Sequence, residues 1–226
     1  MAELVDAALL LRRIPYGDTS LICHFLTERH GRIALMARGA RRNKSSLRAG
    51  LSPLRLLSIT WRAGRSGMGT LLDVDCAEPL LDEAGLLEGL ELLAVAAGLF
   101  QEGDPHGFAE TREALGMLAS RKAPEGLLAA SWLLLERAGW IGDLDHCWQC
   151  GNPGLETATM FWQQAQLVCA ACGGGAEVSA GLRKGIRGVL AQPNVRLGAR
   201  DAEQWRAMIG LILKSQGLRA PDTFRV

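Results

Sequence analysis

A small β-barrel followed by a mainly helical region is the architecture that this 226-residue sequence predicts. Three observations predict it. Five short segments before residue 80 alternate apolar and polar residues, a longer helical periodicity begins after Pro79, and two Cys-x-x-Cys pairs lie in the second half. Because 48% of the residues are hydrophobic, the chain can bury sizeable cores. We therefore expect a multi-domain α+β protein with domains at 1–80 and 81–226.

The five predicted strands cover residues 4–14, 20–27, 31–38, 54–62 and 69–77. In the third strand, alternate residues divide between two faces, with Ile33, Leu35 and Ala37 on one and Ala34, Met36 and Arg38 on the other. A longer linker, 39–53, separates the third and fourth strands. Five strands are the number in an OB-fold barrel, which predicts an N-terminal OB-fold domain that binds nucleic acid.

Apolar periodicity predicts helices at 81–101, 106–121, 124–140, 180–191 and 202–216. Ser179 and Asp201 precede the last two helices and are expected to be their N-caps. The second domain is therefore predicted to be all-α.

Four cysteines have the spacing of a metal site in this helical domain: Cys147, Cys150, Cys169 and Cys172. Two Cys-x-x-Cys pairs direct four thiolates to one point, which suits one structural zinc ion in a ribbon at about 146–177. Two disulfides or unrelated thiols are the alternatives. The remaining cysteines, Cys23 and Cys76, lie among apolar residues and are expected in the core.

Charge divides the chain unevenly. Residues 10–65 contain twelve Lys and Arg against only Asp18 and Glu28, whereas the whole chain has a net charge of +1. This bias favours a polyanion-binding region, with an ordinary solvated face as the alternative. The candidate nucleic-acid-binding residues are Arg12, Arg13, Arg32, Arg38, Arg41, Arg42, Lys44, Arg48, Arg62 and Arg65. Aromatic residues are few here, so we expect phosphate contacts to lead and sequence readout to be absent.

No catalytic group stands out. A P-loop would need a glycine before Lys44, where Asn43 stands. Asp73 and Asp75 share a strand face and leave a metal-dependent nuclease as one alternative function. A zinc-ribbon adaptor of transcription or translation is another. The prediction is a protein that is not an enzyme.

Four segments carry a resemblance to a known family, RecO, the bacterial DNA recombination and repair proteins. They are residues 9–20 (LLLRRIPYGDTS), 27–32 (TERHGR), 37–42 (ARGARR) and 213–215 (LKS). The cysteine pairs match the zinc site that many members carry. Two residues differ mildly from the family pattern, which has glutamate at the position of Asp18 and lysine at the position of Arg38.

The resemblance implies an N-terminal OB barrel, a helical body with the zinc module, and a mediator that binds single- and double-stranded DNA. It also implies annealing of complementary strands and binding to the C-terminal tail of single-strand-binding protein (SSB). With RecR, such a protein helps to load RecA onto SSB-coated DNA. A cytoplasmic, nucleoid-associated location is expected. Since the longest uncharged runs are too short to span a bilayer, no membrane partner is expected.

Overall fold

The structure is a computed structural model that describes residues 2–64, 68–121, 125–154, 158–218 and 220–224. By compactness the chain forms two units, Met1–Ala119 and Ser120–Val226. The first two long helices group with the barrel in this division. The domain boundary near residue 80 remains a prediction. No helix in the described ranges is long and apolar enough to cross a membrane.

The first unit is built on five strands: β1 (Glu3–Tyr16), β2 (Ser20–Thr27), β3 (Gly31–Ala37), β4 (Arg55–Arg62) and β5 (Gly69–Pro79). They close into a barrel in the order β1-β2-β3-β5-β4. The β3 and β5 strands pair in parallel, and the other pairs are antiparallel. This topology confirms the predicted OB-fold. The linker between β3 and β4 contains a short helix, α1 (Ser46–Gly50), that the sequence did not predict.

Apolar side chains at alternate positions of the strands fill the interior of the barrel. Phe25, Leu35 and Ile59 are completely buried in its core, as is Cys23. Cys76 was expected there too, but this expectation is wrong because Cys76 is exposed. The pairing of β4 with β5 shifts register between Arg55 and Leu57, close to the Leu57–Cys76 pair, so simple alternation does not hold at this end of β5.

The two longer helices of this unit are α2 (Leu86–Leu99) and α3 (Phe108–Ala119). The second unit contains α4 (Glu125–Arg137), β6 (Met160–Gln163), β7 (Gln166–Val168), β8 (Ala176–Val178), α5 (Ala180–Ala191) and α6 (Ala199–Ser215). The three strands form an antiparallel sheet in the order β7-β6-β8. A β-barrel followed by a helical body with a four-cysteine ribbon is the predicted fold class.

The two predicted helix caps differ in outcome. The Ser179 hydroxyl accepts a hydrogen bond from the Leu182 amide at 3.0 Å, which confirms it as the N-cap of α5. Asp201 is not a cap, since α6 begins earlier and Gly198 occupies the N-cap position. Asp201 instead lies in the first turn, where its negative charge is favourable beside the helix dipole.

A buried arginine connects α5 to the ribbon. Arg183 is fully buried and donates to the carbonyl oxygens of Ala158 at 2.8 Å and Leu144 at 3.3 Å. Burial lowers the pKa of its guanidinium below the ordinary value. These backbone acceptors fix the segments before β6 against α5, which positions the ribbon within its own unit.

Candidate nucleic-acid interface and metal centre

The outer surface of β1, β2 and β3 is covered at one end and open at the other. At the covered end, Leu26 is completely buried and lies beside Phe100, which follows α2. Arg32 donates to the carbonyl oxygens of Ala97 at 2.7 Å and Phe100 at 2.8 Å. Those carbonyl groups lie at the C-terminal end of α2, where they lack partners within the helix, and Arg32 satisfies them.

The open end continues from there along the same strands, and we call it the open face. Its cross-strand rows are Arg12–His24–Ala34, Ile14–Ile22–Met36 and Tyr16–Ser20. Ile14 and Tyr16 are exposed, while Ile22 and Met36 are half-buried. The open face therefore presents apolar and aromatic groups to solvent between cationic ends. In OB-fold proteins, the surface of the second and third strands is the one that binds oligonucleotides.

The segment after β3, residues 38–45, is the basic loop. It is anchored to the turn between β1 and β2 through Arg41, whose amide donates to the Thr19 carbonyl at 2.9 Å. The Arg41 guanidinium donates to the Gly17 carbonyl at 2.9 Å. These contacts hold the loop beside the open face, so its position does not depend on a ligand.

Three bases of the basic loop, Arg38, Arg42 and Lys44, are exposed. Within the described parts of the chain, none of the three forms a side-chain hydrogen bond or an ion pair with protein. Their positive charge is therefore uncompensated and available to an anion. Arg48, in α1, donates to the side-chain oxygen of Asn43 at 3.2 Å, and this bond connects the basic loop to α1.

A cavity of about 490 Å³ lies where the basic loop meets the open face. It is lined by Tyr16, Thr19, Ser20, Met36, Arg38, Gly39 and Arg42. The lining combines an aromatic ring, two hydroxyls and two guanidinium groups. This combination offers stacking, hydrogen bonds and positive charge in one place.

The other predicted bases lie in different settings. Arg12 is on the open face, 3.5 Å from His24, whereas Arg13 donates to the Leu51 carbonyl at 2.9 Å. Arg62 lies on β4 and pairs with Glu3 at 2.9 Å. Arg65 is outside the described residues. Of the ten bases, the structure gathers Arg12, Arg38, Arg41, Arg42, Lys44 and Arg48 around the open face and the basic loop.

Several residues of the open face were not singled out from the sequence, namely Ile14, Ile22, His24 and Met36. The alternation in the third predicted strand already placed Met36 on the same face as Arg38. That was the available signal. Burial, then Arg12 and Arg32, lower the pKa of His24 below its ordinary value. His24 therefore stays neutral at neutral pH and adds no charge to the surface.

Asp73 and Asp75 are exposed on β5, in cross-strand register with Thr60 and Ser58. No third carboxylate, histidine or cysteine joins them within the ranges that the structure describes. A magnesium site needs several oxygen ligands, so this pair offers little support for the nuclease alternative.

The 27–32 segment forms the turn between β2 and β3. The Thr27 hydroxyl donates to the Gly31 carbonyl at 2.9 Å and accepts from the His30 amide at 3.1 Å. Gly31 has a φ of +61°, and a side chain there would also collide with the Asp104 carbonyl. His30 lies 2.6 Å from the buried carboxylate of Asp6. These contacts fix the turn between β2 and β3, and the segment ends at Arg32.

The four predicted cysteines come together in the second unit. The sulfur atoms of Cys147, Cys150, Cys169 and Cys172 all lie within 4.8 Å of one another. The sulfur atoms of Cys150 and Cys169 are 3.9 Å apart. This distance matches the sulfur–sulfur edge of about 3.8 Å in a tetrahedron with zinc–sulfur bonds of about 2.3 Å. All four are free thiols, so the two-disulfide alternative is not what the structure contains.

Each cysteine pair lies on a tight turn that a backbone hydrogen bond closes. The Gly151 amide donates to the Cys147 carbonyl at 2.8 Å, and the Cys172 amide donates to the Cys169 carbonyl at 3.0 Å. The backbone around Cys169 lowers the pKa of the Cys147 thiol to about 6. Hydrogen bonds with Cys150 and then Cys169 raise the pKa of Cys172 to about 12. Four soft donors in this geometry fit a metal ion of the zinc type.

Comparison with known proteins adds the family. The model described as "Recombination protein O N terminal" matches residues 1–80, and "Recombination protein O C terminal" matches 88–206. Three similar curated proteins are each named DNA repair protein RecO. That of Proteus mirabilis is 32% identical over 163 residues, covering 70% of this chain and 66% of its own. That of Ralstonia nicotianae is 37% identical over 145 residues, covering 62% and 53%. That of Acidithiobacillus ferrooxidans is 35% identical over 164 residues, covering 70% and 63%.

The matched part of the chain thus spans between about half and two thirds of these relatives' lengths. The two family models together cover the barrel, the cysteine ribbon, most of α2, all of α3, α4 and α5, and the first half of α6. The barrel and the segments at 27–32 and 37–42 lie within the N-terminal match. The chain belongs to the recombination protein O (RecO) family of DNA repair proteins.

Proposed function

We propose that this protein is a non-enzymatic mediator of DNA repair and recombination that binds single- and double-stranded DNA without sequence specificity. The observation that carries the proposal is the exposed, uncompensated charge of Arg38, Arg42 and Lys44 beside the open face. A DNA backbone supplies regularly spaced anions, and basic side chains that have no protein partner are suited to bind them.

The dimensions of the open face support this reading. Arg12 and Tyr16 are four residue steps apart along β1, which is about 14 Å at the usual rise of a strand. A stacked DNA strand places a phosphate about every 3.4 Å, so about four phosphates fit along this path. Phosphates are the same in every sequence, so binding of this kind does not read sequence.

Strand annealing follows from the same charges. Two complementary strands repel each other through their backbones, and bound guanidinium and ammonium groups replace the counterions that screen them. Lowering this repulsion lets bases meet and pair without a chemical step, so no nucleotide hydrolysis is required. The protein then acts on DNA as a binding surface rather than as an enzyme.

Family membership supports the proposed partners. We propose that the protein binds the C-terminal tail of SSB and RecR, and through them helps RecA to load on SSB-coated DNA. A cytoplasmic location in the nucleoid is where these partners and the DNA would be met. For the cysteine cage we propose one zinc ion, whose four thiolate ligands leave no position for a substrate and make its role structural.

An annealing assay tests the proposal. Complementary oligonucleotides, bare or coated with SSB, are mixed with the zinc-loaded protein without ATP, and duplex formation is followed by fluorescence energy transfer. We expect faster annealing that fades as salt rises, and annealing of coated strands that depends on the SSB tail. Unchanged rates on bare strands at low salt would overturn the mechanism. Cleaved strands in magnesium would instead support the nuclease, and protein binding without DNA binding would support the adaptor.

A further inference from the structure

The cavity between the basic loop and the open face has a composition that the phosphate contacts alone do not require. Tyr16 is 56% exposed at its edge and is the only tyrosine of the chain. Met36, in the neighbouring row of the open face, lines the same cavity. The Tyr16 ring borders this opening instead of packing into the core, so its face is accessible to a planar ligand.

The polar groups of the cavity are arranged around this apolar side. Thr19 and Ser20 add hydroxyls that both donate and accept hydrogen bonds. Arg38 and Arg42 complete the lining, and no protein group within the described ranges neutralises them. The cavity, of about 490 Å³, is broadly open to solvent, so a ligand bound there keeps part of its surface exposed. A ligand that matches all of these features is flat, carries hydrogen-bonding edges and is attached to an anion.

We infer that this cavity is a subsite for one unpaired nucleotide, with its base stacked on the Tyr16 ring and its phosphates held by Arg38 and Arg42. The inference rests on the proposed DNA binding and makes it more specific. A base can enter only when it is out of a duplex, because paired bases are stacked inside the helix. The subsite therefore makes the protein favour single strands, whereas the remaining bases hold either form of DNA.

An acidic peptide with an aromatic or apolar end is the competing occupant. The position of the cavity favours the nucleotide, because the cavity lies at the Tyr16 end of the path from Arg12 to Tyr16 that the DNA strand is proposed to follow. The hydroxyls of Thr19 and Ser20 also suit the edge of a base better than an apolar side chain. The competing occupant becomes one outcome of the test.

The first test compares Tyr16→Ala and Tyr16→Phe with the unaltered protein in binding to a single-stranded oligonucleotide and to the matching duplex. Loss of one base–aromatic stack should weaken single-strand binding by about 5- to 150-fold. Tyr16→Phe should bind like the unaltered protein, and duplex affinity should stay the same in all three. Val5→Ala is the matched control, because Val5 is 53% exposed on the part of β1 that pairs with β4.

The second test needs no variant. Because Tyr16 is the sole tyrosine, nitration of the unaltered protein reports on this one ring. A single-stranded oligonucleotide should protect it, and the duplex should not. Equal single-strand affinity of Tyr16→Ala, or equal protection by both DNA forms, would overturn the subsite while leaving the proposed function intact. Protection by an acidic peptide but not by the oligonucleotide would assign the cavity to a protein partner. If neither form of DNA bound, the proposed function itself would fail.

Discussion

Removing the three unpartnered charges of the basic loop should change the salt dependence of DNA binding by a calculable amount. The variant is Arg38→Ala, Arg42→Ala and Lys44→Ala together. Alanine removes each charge without adding repulsion, so the salt slope counts lost phosphate contacts. Arg41 is left in place, because its contacts with Gly17 and Thr19 hold the loop in position.

The magnitude follows from the four bases that face the proposed DNA path, the three of the loop and Arg12. Four contacts to a single strand give a log–log salt slope of about −2.8, and one contact gives about −0.7. Between 50 and 200 mM salt, the unaltered protein should thus lose about 50-fold in affinity and the variant only about 3-fold.

Fluorescence anisotropy of a labelled oligonucleotide, titrated at several salt concentrations, measures these slopes. The matched control removes the same net charge from exposed bases elsewhere, through Lys184→Ala, Arg200→Ala and Lys214→Ala, and should keep the steep slope. Circular dichroism checks that both proteins are folded. An unchanged slope in the loop variant, or an equal flattening in the control, would show that net charge rather than this loop determines binding.

Four further outcomes are expected. Metal analysis should find about one zinc per chain, and Cys150→Ser should lose it together with thermal stability; zinc-free protein of full stability would contradict the structural role. Burial raises the pKa of Cys23 to about 11, so in zinc-loaded protein at pH 8 a thiol reagent should label Cys76, of the two cysteines outside the cage, and reach Cys23 only after unfolding. Arg32→Ala should lower the free energy of unfolding, measured in urea, by about 1–3 kcal/mol and leave the salt slope of DNA binding unchanged. A flatter salt slope would show that Arg32 contacts DNA. Annealing should proceed equally well with and without ATP, and a requirement for ATP would refute charge neutralisation as its cause.

Local patterns in the sequence were sufficient for the barrel and the cysteine cage. Strands that alternate with a period of two must present one face to a core, and glycine turns such as the one at Gly31 fix where they end. The cysteine pairs were equally readable because each thiol pair is defined within four residues. What these features share is that neighbours in the chain determine them.

The roles of individual arginines could not be read in this way. Arg32 and Arg38 lie near opposite ends of the same strand and looked alike in the sequence. The end of α2, more than sixty residues later, supplies carbonyl acceptors to Arg32 at 2.7 and 2.8 Å. Nothing covers Arg38 within the described residues, so it remains exposed. A distant element therefore decides which base is structural and which is free to bind a ligand.

Chain order also explains how a protein of net charge +1 presents a strongly basic surface. The bases are concentrated in the segment that forms the later part of β1, β2, β3 and the basic loop. Asp73 and Asp75 lie on the part of β5 that pairs with β4, beyond the residues of β5 that pair with β3. The Arg62–Glu3 pair, between β4 and the start of β1, keeps a further base internally compensated. A polyanion is steered by the local field of such a surface, so the proposed binding of DNA at the open face is compatible with a nearly neutral chain.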